Sequence, residues 1–171
     1  MRRPFQLIGL TASGFSNEEG YSICQAIDST YLVAGFHQSI DGDITEWYGG
    51  SDIWLVNLSN EGIINWQQTI GGSQFEEALC VIPTTDSGFV ISGFSNSANG
   101  DIEMNFGLDD CLIFKLDSLG NMVWQVNIGG SNSERATSII RSFDGNYLFT
   151  GYSKSNDGPF LGHIGDTEYW I

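Results

Sequence analysis

Short apolar runs alternate along the chain with clusters of glycine, aspartate, asparagine and serine. In the middle of the sequence four such runs, rich in β-branched and aromatic residues, occupy 78–84, 89–94, 111–116 and 122–128. Runs of this length between turn-forming residues predict β-strands, which we call a, b, c and d. Strand b, FVISGF, is apolar at nearly every position, so we expect both of its faces to be covered. No helical periodicity of any length accompanies this pattern.

The strand pattern recurs with a fixed offset of 58 residues. Gly35, Gly93 and Gly151 lie in the matching segments AGF, SGF and TGY of three successive b strands. The same offset relates several other sets of three: Glu18, Glu76 and Glu134; Asp28, Asp86 and Asp144; Ser39, Ser97 and Ser155; Gly42, Gly100 and Gly158; and Gly49, Gly107 and Gly165. A fixed offset without gaps indicates tandem structural units.

The repeat predicts an all-β fold built of β-propeller blades. It divides the chain into a leader at 1–12, complete repeats at 13–70 and 71–128, and a partial repeat at 129–171. Four antiparallel strands per unit, with one strand buried on both faces, are typical of blades, which stack face to face around an axis. A β-sandwich has no fixed repeat, and a parallel β-helix has a much shorter one. We therefore expect three blade equivalents of four-stranded antiparallel sheet.

The ordered motifs also carry a family resemblance. GGS at 71–73 is followed by the strand-b glycine, by S-x-N-G-D at 97–101, by KLD at 115–117 and by GNxxWQ at 120–125. In this order they resemble the tandem repeats of secreted and surface-attached bacterial β-propellers, over nearly the whole chain from residue 13 onward. The resemblance implies a propeller outside the cytoplasm and no established activity. The third repeat departs from the pattern at Pro159 and Glu168, where the other repeats have aspartate.

The number of blades leads to an expectation about assembly. Three blades do not close a ring, because propellers have at least about four. We expect a homo-oligomer in which two chains join head to tail into a six-bladed ring. Each leader, through residues 5–9, would then supply strand d to the incomplete blade of its partner. The alternative is that the sequence is a piece of a longer protein with more blades.

Composition narrows the range of partners. Six basic residues against 21 acidic ones give a net charge of −15, so nucleic acid and anionic membranes are not expected partners. Cations and neutral ligands fit this charge better, although strong acidity is also typical of soluble extracellular proteins. Three cysteines without CxxC spacing indicate neither a disulfide framework nor a zinc site. No apolar stretch approaches the length of a membrane span, and we expect a secreted or cell-surface protein whose export signal is not in this sequence.

The b–c loop is acidic in every repeat. It covers 95–110 in the second repeat, with counterparts at 37–52 and 153–168. Carboxylate and amide oxygens near flexible glycines are ligands that Ca²⁺ prefers, and the candidates are Asp41, Asp43, Asp52, Asn99, Asp101 and Asp110. Their spacing is not that of an EF-hand. The alternative is structural, with Asp and Asn capping turns while glycines supply positive φ.

The polar residues do not indicate catalysis. A general acid and base need different environments facing one cleft, whereas these carboxylates recur in equivalent surroundings. No catalytic residue is therefore assigned, and an enzyme is not expected. Glu18, Glu76 and Glu134 are expected to bond backbone at the start of strand a. His37 has no histidine counterpart in the other repeats, and such a lone histidine is expected to be exposed to solvent.

Repetition suits multivalent binding of a repetitive ligand such as a glycan. An aromatic platform in each blade could stack on a sugar face while acidic groups accept its hydroxyls, and the candidates are Trp47, Tyr48, Phe106, Phe160 and His163. The alternative is that these rings pack between blades. We expect a non-enzymatic binding or adhesion module, with carbohydrate or a surface protein as its partner. A purely structural assembly protein is the second hypothesis, and a glycan-active enzyme is the third.

Overall fold

The computed structural model describes residues 17–40, 42–162 and 167–170, with the backbone alone for the last two. The leader at 1–12 lies outside these residues, so its role as a strand stays a prediction. Within the described ranges the fold is all-β, as expected, with eleven strands and one short 3-10 turn at Gly158–Phe160. The strands are short because turn-forming residues interrupt every apolar run.

The strands form three antiparallel sheets in chain order. Their bounds are β1 (Glu18–Gln25), β2 (Tyr31–His37), β3 (Asp52–Leu58), β4 (Ile64–Ile70), β5 (Glu76–Pro83), β6 (Phe89–Ser95), β7 (Asp110–Leu116), β8 (Met122–Ile128), β9 (Glu134–Arg141), β10 (Tyr147–Ser153) and β11 (Glu168–Trp170). Sheet 1 contains β1–β4, sheet 2 contains β5–β8, and sheet 3 contains β9–β11. In each sheet, strands that follow one another along the chain are hydrogen-bonded neighbours. The four predicted strands of the second repeat correspond to β5–β8.

The sheets stack face to face, with sheet 2 in the middle. One apolar cluster joins sheets 1 and 2 and includes Leu32, Leu55, Phe89 and Phe114. A second cluster joins sheets 2 and 3, and Val90 lies at its centre. β6 is buried at every position, which confirms the expectation that strand b of the second repeat is covered on both faces. Burial of these side chains contributes on the order of 25 cal/mol for each Å² of apolar surface removed from water.

The three cysteines contribute to these apolar clusters. Cys24 packs against the first cluster and Cys80 against the second, to which Cys111 belongs. All three are free thiols. Burial raises the pKa of the Cys24 thiol to about 12 and also raises that of Cys111, so these two act as small apolar side chains.

Because neighbouring strands are antiparallel, the connections between them lie at the two opposite ends of the strands, which form two opposite edges of the stack. Turns between a and b strands and between c and d strands lie at one edge. The b–c loops and the linkers that lead from one sheet to the next lie at the other. We call this second edge the linker edge. It contains the b–c loops 38–51 and 96–109 and the linkers 71–75 and 129–133.

A glycine in each b strand faces an irregularity in the a strand beside it. In sheet 2 the register between β5 and β6 shifts between Ala78 and Cys80, opposite Gly93. A Cβ on Gly93 would overlap the backbone carbonyl oxygen of Glu77. The equivalent glycines, Gly35 and Gly151, face strand-a carbonyls in the same way. This close approach explains why all three repeats carry glycine there.

We expect Gly93→Ala to lower the free energy of unfolding by about 1–3 kcal/mol, the usual cost of forcing an extra carbon into a packed site. Gly20→Ala is the matched control, because its new Cβ would be in ordinary contact with Val33, at 3.4 Å. Its counterparts in the other sheets are already alanines, Ala78 and Ala136. Urea unfolding of the two variants measures the difference, and equal losses would contradict the steric explanation.

Candidate functional site

The linkers at the linker edge are held by buried glutamates. Glu76, at the start of β5, is fully buried. One of its carboxylate oxygens accepts a hydrogen bond from the backbone N–H of Gly72 at 2.8 Å. The other accepts from the hydroxyl of Ser95, at the end of β6, at 2.6 Å. A single carboxylate thus connects the linker to strands a and b of the sheet that it enters.

The same contacts recur in the next sheet. Glu134 accepts hydrogen bonds from the N–H of Gly130 at 2.7 Å and from the hydroxyl of Ser153 at 2.8 Å. It also accepts from the backbone N–H of Ser155 at 3.1 Å. These bonds confirm for Glu76 and Glu134 that the repeated glutamates bond backbone at the start of strand a, whereas Glu18 accepts a hydrogen bond from the Ser39 hydroxyl at 2.5 Å. Such N–H and O–H bonds replace the hydration that a carboxylate loses on burial.

The b–c loop of sheet 2 binds the preceding linker through its polar side chains. Asn99 accepts a hydrogen bond from the N–H of Ser73 at 2.9 Å. Asp101 accepts one from the N–H of Gly71 at 3.2 Å. Two of the candidate metal ligands therefore direct oxygens at linker backbone. Such bonds satisfy N–H groups that the irregular linker leaves without strand partners.

The second linker is bound in the same manner by sheet 3. Asp157 accepts a hydrogen bond from the N–H of Ser131, and the hydroxyl of Ser155 accepts one from the N–H of Asn132, both at 2.8 Å. The b–c loop that precedes a linker also contributes, since the N–H of Leu108 donates to the carbonyl of Asn132 at 3.0 Å. The linker thus lies between the b–c loops of two consecutive sheets.

Asp52 and Asp110 occupy equivalent buried positions at the start of strand c. One oxygen of Asp52 accepts a hydrogen bond from the N–H of Tyr48 at 2.6 Å, and one oxygen of Asp110 accepts from the N–H of Phe106 at 2.5 Å. The second oxygen of each is buried without a hydrogen-bond partner in the described part of the chain. The linker glycine Gly71 packs directly on Asp52, because a Cβ there would overlap its unpartnered oxygen.

Burial has an electrostatic consequence for these two aspartates. Desolvation raises the pKa of Asp52 and of Asp110 to about 6 each, with smaller contributions from the nearby Glu76 and Glu134. The folded state therefore binds these protons more tightly than the unfolded state. The corresponding stability is present below about pH 4 and is lost as the pH rises through about 6.

The calcium hypothesis stays a prediction. The described residues contain no group of three or more His, Cys, Asp or Glu side chains arranged to hold a metal ion. Among the candidates, Asp43 is exposed, and its backbone carbonyl accepts a hydrogen bond from the Gln67 side chain at 2.5 Å. Asp41 lies outside the described residues. The contacts of Asp52, Asn99, Asp101 and Asp110 support the alternative, in which these side chains fix loop and linker backbone.

The candidate aromatic residues divide into exposed and buried ones. Trp47, Tyr48 and Phe106 are about half exposed at the linker edge, whereas Phe160 is buried. Phe160 is the last residue of the 3-10 turn, and its N–H donates a hydrogen bond to the carbonyl of Asp157 at 3.0 Å. The Phe160 ring therefore offers no face to a ligand, which corrects the expectation for that residue. His163, the fifth candidate, lies outside the described residues.

Two further side chains, Glu46 and Phe75, contact the loop that carries Trp47 and Tyr48. The Tyr48 hydroxyl donates a hydrogen bond to the carboxylate of Glu46 at 3.1 Å. Phe75, in the first linker, is about half exposed and lies against Gly50. Phe75 is not among the candidates that the sequence indicates, although its position carries one signal. The equivalent positions of the other repeats are Asn17 and Ser133, so an apolar ring there departs from the repeat.

His37 is buried, so the expectation of an exposed loop histidine is wrong. It is the last residue of β2, and its ring nitrogens lie 2.9 Å from the carbonyl oxygen of Ser39 and 3.2 Å from the hydroxyl of Thr69. Burial lowers its pKa. The other sheets place Ser95 and Ser153 at this position. His37 therefore occupies a buried position that is serine in the other two sheets, and its side chain is not exposed on the loop surface.

Comparison with known proteins adds no function to this geometry. No protein-family model matches the chain, and no curated protein matches it. Among the described residues, no helix combines the length and hydropathy that a membrane crossing needs.

We expect the double variant Asp52→Asn and Asp110→Asn to lose part of the pH dependence of stability between about pH 4 and about pH 6, because amides do not titrate. Thermal melting at several pH values measures this. The control is Asp117→Asn with Asp144→Asn, since hydrogen bonds lower the pKa of both of these exposed turn aspartates. The control should keep the dependence in this window, and a double variant that also keeps it would contradict the assignment.

The same variants test calcium. If the loop oxygens serve only the backbone, the melting temperature of the parent protein should be the same in millimolar calcium and in excess chelator. A calcium-dependent rise in the parent that disappears in the Asp52→Asn and Asp110→Asn variant would instead identify these aspartates as metal ligands.

Proposed function

We propose that the protein is a non-catalytic extracellular binding module built of β-propeller blades, and that it binds its ligand at the linker edge around Trp47 and Tyr48. The observation that carries this proposal is a pair of half-exposed aromatic rings on a loop whose backbone is held by the buried carboxylate of Asp52. Clustered exposed aromatic side chains on a rigid loop are typical of ligand contact surfaces.

The propeller arrangement is supported by the stacking of the sheets. Consecutive antiparallel sheets pack face to face through equivalent residues, and both linkers run along one edge. Each additional sheet of this kind would continue the same rotation around an axis. In this arrangement the linker edges of all sheets lie on one side of the ring.

The rigidity of the loop favours binding. Asp52 holds the N–H of Tyr48, and the N–H of Ser51 donates to the carbonyl of Gln74 in the linker at 3.1 Å. Gly49 and Gly50 approach the linker backbone so closely that a Cβ at either would overlap it. Because the loop is ordered before a ligand arrives, little conformational entropy is lost on binding.

A neutral carbohydrate is the ligand class that fits this surface best. The apolar face of a sugar ring stacks on an aromatic side chain, and its hydroxyls donate to carboxylates such as Glu46. The net charge of −15 disfavours anionic ligands. A catalytic role is disfavoured because Asp52 and Asp110 share the same backbone contact and the same direction of pKa shift, whereas general acid and base need different ones.

A purely structural assembly protein is the second candidate. The observation that favours it is the use of Asn99, Asp101 and Asp157 to bind linker backbone. In that case the repeated polar loops serve only to hold consecutive sheets together, and the exposed aromatic side chains have no ligand.

We expect Trp47→Ala to weaken binding to a neutral glycan at least about tenfold, which corresponds to about 1.4 kcal/mol, because stacking on the indole is lost. The melting temperature should stay the same, since the Trp47 side chain is about half exposed. A glycan array identifies the glycan, and titration calorimetry measures the affinity. Phe143→Ala is the matched control, because Phe143 is an exposed aromatic residue at the opposite edge.

Two outcomes would contradict the proposal. The first is an affinity that Trp47→Ala leaves unchanged, and the second is the absence of binding across the array. The second outcome would favour the structural candidate.

A further inference from the structure

Sheets 1 and 3 each present an outer face that carries the same kinds of residue as the internal junctions. The sheet-1 outer face contains Gly20, Ile23, Tyr31, Val33 and Trp54, and the sheet-3 outer face contains Ser138, Ile140, Leu148 and Thr150. They are the equivalents, at an offset of 58, of residues that line the two internal junctions. The sheet-1 outer face therefore corresponds to one side of an internal junction, and the sheet-3 outer face corresponds to the other side.

Exposure separates these faces from their internal equivalents. Leu148 on the sheet-3 outer face is 42% exposed, whereas its equivalents Leu32 and Val90 are 0% exposed because the next sheet covers them. Ile23 on the sheet-1 outer face is 62% exposed, whereas its equivalents Val81 and Ile139 are 3% and 2% exposed. Apolar side chains with buried equivalents gain by being covered in the same way.

A polar contact at the first junction also has its equivalents on the outer faces. The hydroxyl of Ser22 in sheet 1 accepts a hydrogen bond from the backbone N–H of Val81 in sheet 2 at 3.1 Å. Ser138 is the equivalent of Ser22, and Ile23 is the equivalent of Val81. If the two outer faces meet as the internal ones do, the Ser138 hydroxyl can accept from the N–H of Ile23.

Charge is complementary as well. At the second junction, Arg135 of sheet 3 lies over the ring of Phe94 in sheet 2, 3.5 Å from its centroid. The equivalents on the outer faces are Glu19 and Tyr152. Lys154 lies 5.9 Å from the centroid of the Tyr152 ring. Docking of the two faces would therefore bring the carboxylate of Glu19 to the side of the interface that carries the Lys154 ammonium, a group of opposite charge.

Each outer face contains a shallow groove that the neighbouring sheet would cover. The groove of the sheet-3 outer face has a volume of about 230 Å³ and is lined by Ile140, Leu148 and Thr150. The groove of the sheet-1 outer face has a volume of about 250 Å³ and is lined by Val33, Trp54 and Val56, with Glu18 and Glu19 at one end. At the internal junctions the equivalent positions are filled by side chains of the neighbouring sheet.

We infer that a second copy of this chain docks its sheet-1 outer face on the sheet-3 outer face of the first, repeating the internal junction between chains. Such a contact joins two different faces, so it is head to tail and propagates until it closes into a ring. Two copies bring six sheets together and satisfy both pairs of faces. This inference does not depend on the proposed ligand, because Trp47 and Tyr48 lie at the linker edge and not on either face.

The test is the mass of the full chain in solution, measured by light scattering after gel filtration. We expect twice the chain mass of 18.7 kDa. The variant Ile140→Asp with Leu148→Asp and the variant Ile23→Asp should each be monomeric. Circular dichroism should show that both stay folded, because the side chains that they replace are already exposed in the single chain. Leu119→Asp is the matched control, since Leu119 is an exposed apolar residue on a turn away from both faces, and it should keep the parent mass.

Mixing the two monomeric variants tests which faces meet. One retains an intact sheet-1 outer face and the other an intact sheet-3 outer face, so the mixture should form a 1:1 complex. If each face paired with its own kind, Ile23→Asp alone would still dimerise through sheet 3. A monomeric parent at all concentrations, an assembly that survives both face variants, or dimerisation of Ile23→Asp would overturn the inference. Concentration-dependent larger species that both face variants abolish would support the same contact.

Discussion

The structure depends on the hydrogen bonds by which buried carboxylates hold the Gly-Gly linkers. Each linker must cross from strand d of one sheet to strand a of the next, and along this path its N–H groups have few strand partners. Glu76 and Glu134 bind those groups from the sheet that the linker enters. A buried carboxylate is stable only when such bonds replace its hydration. This requirement accounts for the glutamate, the two glycines and the strand-b serine found together in the second and third repeats.

Linker attachment and apolar packing act together. The linker bonds fix the spacing between consecutive sheets at one edge, and the apolar clusters then fill the space between their faces. Neither set of contacts is sufficient alone. Linker bonds without apolar packing would leave the sheet faces exposed to water, and apolar packing without linker bonds would let one sheet slide over the next. The same combination leaves apolar side chains on the outer faces of sheets 1 and 3, where stacking can continue with a further sheet.

The polar loops serve structure at their base and are open to solvent at their tips. Side chains at the base, such as Asn99 and Asp101, bind the neighbouring linker. The tip residues Trp47 and Tyr48 are not required for those contacts and are half exposed. Because the base is rigid, a tip residue can change between repeats without disturbing the stack. A binding surface can therefore vary on an invariant scaffold, as functional loops commonly do.

The sequence by itself determined the strands, their antiparallel order within repeats of 58 residues, the burial of strand b in the second repeat and the backbone role of Glu76 and Glu134. These follow from local periodicity, turn chemistry and repetition, which need no knowledge of distant partners. Only the tertiary structure decided that His37 and Phe160 are buried, that Phe75 lies against Gly50, and that one oxygen of Asp52 has no hydrogen-bond partner among the described residues. Each of these depends on groups that are distant in the sequence or on the local direction of the chain. Composition and spacing do not reveal which backbone group a loop side chain will bind in the linker. That hydrogen bond determines the role of the side chain more than its residue type does.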